Sequence, residues 1–532
     1  MVKKISKALN RQNSLASASI ILIITLFISN ILGVFRDHFL TQKIPTDILS
    51  TYYAAFRIPD FIFNLLILGA IASAFIPVFT TLITQKKNEE AWQVANSIIN
   101  IAMLVLVIFI TTLFITMPFL VPLVVPGFDE EKQRIVTSLA RIMLGSPLFF
   151  GLSYIVGGIL NSHKRFLAYS LAPLIYNVSI IVGAIFFADK YGIVAIAYAV
   201  VVGAFLHLMI QLPSAIKLGF RYQPKIYWKH WGVKRIGIMM FPRSIALGAN
   251  QIMLLIFTAI ASGLGGFSVA IYTLADNIQT LPVVVFGTSF ATAVFPSLSE
   301  AISQNKQTVF VDHLKKTMRI IIFLLIPVTA GLFLLRTEIV RLILGSGFFG
   351  WQQTITTANT LGILALSLVF SGLTPLFFRA FYALHNTKLP MVIMLINVIF
   401  SIVLGKLFSI NMGVLGLALG YAIGDVIGAV IAYALLRRKV TISNEKEIFF
   451  FVLKVVLATL IMSIAIQEAK VLSGIFVDMQ RFWGVLAKTS IGLGVGISVY
   501  SLTCWIFGCE EIQSVKAILN RVIKRGPDGT KI

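Results

Sequence analysis

Charge is what this chain has least of. Only 12% of its 532 residues are Asp, Glu, Lys or Arg, against roughly 25% in soluble domains. Paired with 58% hydrophobic content and a mean hydropathy of +0.92, that scarcity excludes an ordinary water-soluble fold. Cysteine is almost absent as well. Cys504 and Cys509 are the two present, and neither a disulfide framework nor a metal site follows from one such pair. The six histidines, His38, His163, His207, His230, His313 and His385, form no HxxxH pair and none is matched with a cysteine, so metal ligation is not expected. There is no GxSxG and no Walker loop, and no extramembrane stretch is long enough to hold a nucleotide. The 21 acids are scattered, without the paired carboxylates that a membrane-embedded hydrolase needs. Catalysis is therefore not expected.

Apolar runs are what the chain does have. A span needs about 20 apolar residues, and fourteen candidates meet that length. They lie near 15–35, 50–83, 93–123, 135–161, 168–188, 191–214, 236–262, 268–298, 318–335, 356–380, 388–409, 412–436, 448–467 and 483–507. The second and eighth are too long for one crossing, so each should bend or protrude. Lys3, Lys4, Lys7 and Arg11 ahead of the first run resemble the start of a signal peptide. The run that follows is long for that role and lacks a small-x-small exit, so it reads as an uncleaved first span.

Cations give the orientation. With the amino terminus in the cytoplasm, inner segments hold nearly three times as many Lys and Arg as outer loops, as the positive-inside rule requires. An even span count returns the carboxyl terminus to the same side. The net charge of +23 is spread over short cytoplasmic pieces rather than one face, which argues against nucleic-acid binding. The richest piece, residues 217–235, mixes aromatics with cations. It suggests a short interfacial helix on anionic headgroups, with simple topology anchoring the competing reading.

The chain also repeats itself. Gly192, Asn177 and Pro77 sit in apolar contexts that return about 220 residues later at Gly413, Asn397 and Pro296. Six spans separate equivalent helices, so the repeats are parallel. The organisation expected is a basic terminus at 1–14, an N-lobe at 15–214, a basic amphipathic linker at 215–235 and a C-lobe at 236–440. Two further helices at 441–510 and a basic tail at 511–532 complete it. Repeated bundles in membranes commonly enclose a transport site.

Charges within spans are costly in lipid and point to polar surroundings. Arg36 and Asp37 close the first span, Arg57 and Asp60 flank Pro59 in the second, Arg243 follows Pro242 in the seventh, and Asp276 precedes Pro282 in the eighth. All fall on the first two spans of a repeat, mostly beside residues that can open the backbone, and they are expected to line a central cavity. For Arg379, Lys454 and Lys488 snorkelling toward a span end is the better reading. Arg141 and Asp425 complete the set. Asn177 and its repeat Asn397 read as helix–helix glue, with an ion ligand the alternative at Asn397.

At these residues the chain resembles the MviN/MurJ-type lipid II flippases. The carrying stretches are SNILGVFRDHFL, AAFRIPDFIFNLLILGAIASAFIPVF, GILNSHKRFLAYSLAPLIYNV, FPRSIALGANQI, GTSFATAVFPSLSEAI and FFRAFYALHNTKLP, in order over roughly residues 15–510. The resemblance implies an all-α membrane protein with two six-helix lobes around a basic cavity and two extra helices forming a groove for a lipid tail. It implies a pyrophosphate-accepting site in which Arg36, Asp37 and Arg57 occupy matching positions. Asn30, Phe63 and Asn277 stand where the family commonly has Arg, and Ser50 where it commonly has Asp. The expected cavity is thus three cations short, with Arg243 positioned to compensate through its bidentate fork.

The expected function is flipping of an undecaprenyl-linked cell-wall precursor, lipid II above others, by rocking of the lobes. The alternatives are a related exporter of another lipid-linked glycan or of drugs, and a non-transporting scaffold of cell-wall synthesis. No cofactor is expected beyond a coupling ion or the membrane potential. Expected partners are the lipid-linked precursor, anionic lipids at the inner face and the cell-wall synthesis machinery.

Overall fold

The computed structural model describes residues 15–68, 74–440, 445–476 and 481–513. These residues are almost wholly helical, because a backbone in lipid must satisfy its own hydrogen bonds. The helices are α1 (Leu15–Lys43), α2 (Thr46–Ile62), α3 (Ile76–Thr84), α4 (Asn88–Val124), α5 (Glu130–Ser162), α6 (Phe166–Tyr191), α7 (Ile193–Ile216) and α8 (Trp231–Ser262). They continue as α9 (Ser268–Ser303), α10 (Gln307–Leu334), α11 (Arg336–Leu344), α12 (Trp351–Ala365), α13 (Leu368–Ala383), α14 (Lys388–Met412), α15 (Val414–Lys439), α16 (Glu445–Phe476) and α17 (Phe482–Ile506). Among the described residues ten helices are long and apolar enough to cross a membrane, and eleven if α12 and α13, bent by 46°, make one span. Helix underlies the described part of each of the fourteen expected segments. Large apolar side chains such as Phe119, Phe186, Ile410 and Trp505 remain exposed along them, as lipid-facing residues do.

The chain divides into two compact units, one running to Ala270 and the other starting at Ile271. In the first, α1 lies along α6, and α7 packs on α5 and α6. α8 joins this unit against α2 and α4. Its Thr258 takes the Nε of Arg57 at 3.0 Å, and its Ser262 hydroxyl takes the Gly127 amide at 3.1 Å. The second unit is centred on α10, whose Phe310, Ile321 and Leu325 are buried with Phe377 and Phe381 of α13 and Val455 and Ala458 of α16.

The internal repeat is written in the backbone. The two over-long spans both contain a π-helical turn, Phe63–Leu68 and Val283–Thr288, which widens the backbone spiral there. Among the described residues four non-glycine positions have positive φ: Lys86, Lys164, Asn305 and His385. They fall two to a repeat, at equivalent places, each ending a helix with the same paired bonds. After α3 the Lys87 amide donates to the Leu82 carbonyl at 2.9 Å and the Lys86 amide to that of Ile83. After α9 Lys306 and Asn305 do the same to Ala301 and Ile302. This is the six-to-one and five-to-two closure that satisfies orphan carbonyls at a helix end. Gly192 and Gly413 match as well, with φ of 57° and 58° and ψ of −145° and −136°, a conformation open to glycine almost alone.

Three expectations need correcting. α1 does not close at Arg36 and Asp37 but continues to Lys43, placing both residues inside the helix. Residues 220–230 form no interfacial helix. They run as an extended strap held by α4: Asn96 accepts the Gln223 amide and donates to the Arg221 carbonyl, Ser97 accepts the Tyr227 amide, and Asn100 donates to the carbonyls of Gln223 and Lys225. Side chains on one face of α4 thus meet backbone groups that would otherwise have made a helix. Lys488 does not snorkel either. Its Nζ lies 3.8 Å from Glu338 on α11, which also pairs with Lys470 at 3.1 Å. At the other end of α16, Arg319 clamps Glu447 and Glu511, each at 2.6 Å, so the α16–α17 hairpin is ionically tied to its unit at both ends. The basic terminus 1–14 and residues 514–532 of the tail lie outside the described residues.

Candidate functional site

Five helices of the first unit converge on a cavity of about 220 Å³. α1 contributes Arg36, α2 Phe56, Pro59 and Asp60, α5 Ser146, Phe150 and Tyr154, α6 Pro173 and Tyr176, and α7 His207, with Phe63 from the π-helical turn. The local sequence explains these placements. Phe150 and Tyr154 are four apart on α5, and Pro173 and Tyr176 three apart on α6, so each pair shares a helix face. Arg57 and Asp60 are likewise three apart, but their side chains diverge. Asp60 lines the cavity, while Arg57 reaches Thr258 on α8.

Arg36 organises the polar end. Its Nε and Nη2 donate to Asp37 Oδ1 at 3.0 and 2.9 Å, and its Nη1 donates to Asn177 Oδ1 at 3.4 Å. The Tyr53 hydroxyl donates to the same Asp37 oxygen at 3.4 Å. Asp37 is 5% exposed and Arg36 22%, so the guanidinium keeps an open edge on the cavity while its partner is sealed. Asn177 is held from two sides. Its side-chain nitrogen donates to the Pro173 carbonyl one turn earlier at 3.2 Å, and also to the carbonyl and hydroxyl of Ser29 on α1, each at 3.4 Å. Beside the cavity, Ser153 Oγ sits 2.7 Å from His207 Nδ1 and accepts from Gln211 Nε2 at 2.7 Å, a polar layer between α5 and α7.

The structure thus brings Arg36, Asp37 and Asp60 to one place, with Arg57 beside them. Asp276 belongs to the second unit, where it acts electrostatically on Tyr421. Arg243 sits in α8, but its side chain lies outside the described residues. In that second unit the prominent buried acid is Asp425 on α15, which accepts from Ser371, from Asn397 Nδ2 at 2.8 Å and from Tyr421. Sequence reasoning marked Phe63 as a cavity position but missed the tyrosines, Phe56, Phe150 and the place of His207 in the cavity. In a chain this rich in aromatics, the one available signal was their spacing along α5 and α6. Among the described residues no group of three or more His, Cys, Asp or Glu could hold a metal ion.

A polytopic all-helical chain with a duplicated six-helix plan and a charged cavity among its helices has the architecture of a transporter. A solved multidrug resistance MATE transporter of the MOP superfamily, in its inward-facing conformation, superposes with a TM-score of 0.68 over 79% of this chain and 98% of that one, at 16% identity, which shows the fold. The chain belongs to the lipid II flippase MurJ family, whose model matches residues 46–486. The solved lipid II flippase MurJ in an inward closed conformation is 26% identical, with a TM-score of 0.76 over 91% of this chain and 99% of that one. Probable lipid II flippases from Buchnera aphidicola subsp. Schizaphis graminum and Rickettsia prowazekii are 29% and 27% identical. They match over 82% and 86% of this chain and 86% and 90% of their own lengths.

Proposed function

We propose that this chain flips lipid II, the lipid-linked peptidoglycan precursor, from the inner to the outer leaflet of the bacterial cytoplasmic membrane. The observation that carries the reading is membership of the MurJ family together with a match to a solved MurJ over nearly the whole of both chains. Arg36 supports it from within the site. A guanidinium with one edge on a carboxylate and one on a cavity is suited to a phosphate oxygen. Arg36, Asp37, Arg57, Asp60, Arg243 and Asp276 are the residues assigned to substrate handling, with alternating access as the mechanism. The distribution of Lys and Arg supports cytoplasmic termini and anionic lipids at the inner face. Contact with the cell-wall synthesis machinery and coupling to an ion or the membrane potential belong to the same reading, which assigns no catalytic step.

Purified protein in liposomes loaded with lipid II tests this. Headgroups placed on one leaflet should become accessible on the other at a rate that scales with protein. A chain that leaves them where they began is a scaffold rather than a flippase.

A further inference from the structure

Aromatic rings close most of the cavity that holds Arg36 and Asp60. Phe63 packs on Phe150 at 5.2 Å and on Tyr154 at 5.1 Å. Phe150 meets Tyr176 and His207, each at 5.2 Å, and Tyr154 stacks on His207 at 5.8 Å. Within this box the two formal charges are differently placed. The Arg36 guanidinium is matched by Asp37 at 2.9 Å. The Asp60 carboxylate accepts no hydrogen bond among the described residues. Its neighbour Arg57 lies outside the cavity lining and donates from Nε to Thr258. Arg36 and Arg57 both act electrostatically on Asp60, but Arg36 is engaged by Asp37, which leaves Asp60 as the carboxylate on the lining without a hydrogen-bonded partner among the described residues. Phe63 adds a ring at a position where the family resemblance implies a cation.

We propose that this cavity binds an alkylammonium group, with Asp60 as its counter-ion and Phe63, Phe150, Tyr154 and Tyr176 as its walls. A half-buried carboxylate gains from a cation brought to it, and aromatic faces attract that cation through their quadrupoles. The two polar groups divide the lining, the Arg36 edge suited to a phosphate oxygen and the Asp60 edge to an ammonium. At about 220 Å³ the cavity is smaller than the roughly 300–1,000 Å³ of drug-sized sites, so it takes one arm of a ligand. Two sources share the chemistry: the side-chain amine of the precursor's own peptide, or a separate hydrophobic ammonium. The first rests on the flippase reading; the second does not.

The full chain in nanodiscs should bind benzyltrimethylammonium saturably. Asp60→Asn should weaken that binding about tenfold to a hundredfold, and Tyr154→Leu by a smaller factor, each variant first checked for an unchanged melting profile. In liposomes, lipid II with a free side-chain amine should be flipped faster than its N-acetylated form. If ammonium binds and both lipids move alike, the cage stands and its ligand is a separate cation. If ammonium binds through Asp60 while neither lipid moves, the cage stands and the flippase reading fails. If both lipids move alike and wild-type protein binds no ammonium, the cage is wrong and the flippase reading survives. Unchanged ammonium binding in a well-folded Asp60→Asn protein also overturns the cage.

Discussion

The two repeats turn the same amide toward opposite charges. Asn177 on α6 presents its oxygen to the guanidinium of Arg36, whereas Asn397, its equivalent on α14, presents its nitrogen to the carboxylate of Asp425. The partners have no counterparts across the repeat. Ala204 stands beside Gly203 where Asp425 stands beside Gly424. Yet the backbone around them is the same to the level of single dihedrals, as Gly192 and Gly413 or Lys164 and His385 show. An amide can serve either role because it carries both donor and acceptor on one short side chain. Helix ends tolerate no such freedom, since an unclosed carbonyl in a membrane is costly. Duplication therefore preserved the scaffold while the side chains of the two units diverged.

Removing the cation side of that contrast should have the largest effect. Arg36→Ala leaves Asp37 buried with Tyr53 as a remaining donor, and should cost about 3 kcal/mol of stability as well as lipid flipping. The double variant Arg36→Ala/Asp37→Ala removes the stranded carboxylate and should recover most of the melting temperature without recovering transport. Transport at the wild-type rate by the double variant would show that Arg36 only anchors a helix.

A second comparison acts on the amides themselves. Asn397→Leu breaks a bond to a carboxylate and should cost about 1.5 kcal/mol. Asn177→Leu breaks a longer contact to a cation already held by Asp37 and should cost about 0.5 kcal/mol. Equal melting shifts for the pair would mean that the amides matter for packing and not for the charge each one faces.

The smallest effect concerns the shared scaffold. Lys86 and Asn305 occupy the same left-handed helix end, at φ of 61° and 55°. Lys86→Gly should stabilise by about 0.5–1 kcal/mol, because a long side chain is strained there, whereas Asn305→Gly should change little, because Asn tolerates the conformation. Thermal denaturation of both variants reads the difference. A larger gain at Asn305 would break the equivalence of the two helix ends.

How much of this was readable in advance follows the range of the forces involved. Long apolar runs compelled helices, because no other backbone satisfies itself in lipid. The spacing of Gly192 and Gly413 announced two like halves, and the over-long second and eighth spans each proved to hold a π-helical turn. Six ordered stretches placed the chain in its family. All of these are local or additive properties of sequence. The cavity was not of that kind. Arg36 meets Asn177 across 141 residues, and Phe150, Tyr154, Tyr176 and His207 look in sequence like any other members of apolar helices. The strap at 220–230 read as amphipathic, and only the amides and hydroxyls of Asn96, Ser97 and Asn100 on α4 decided that it would be extended. Lys488 read as a snorkelling cation until Glu338, 150 positions earlier, supplied its partner. The sequence by itself determined the phase, the helices and their duplication, since those depend on hydrophobicity summed along the chain. The tertiary structure alone decided which charges are matched and which face open space, because that depends on which helix faces meet.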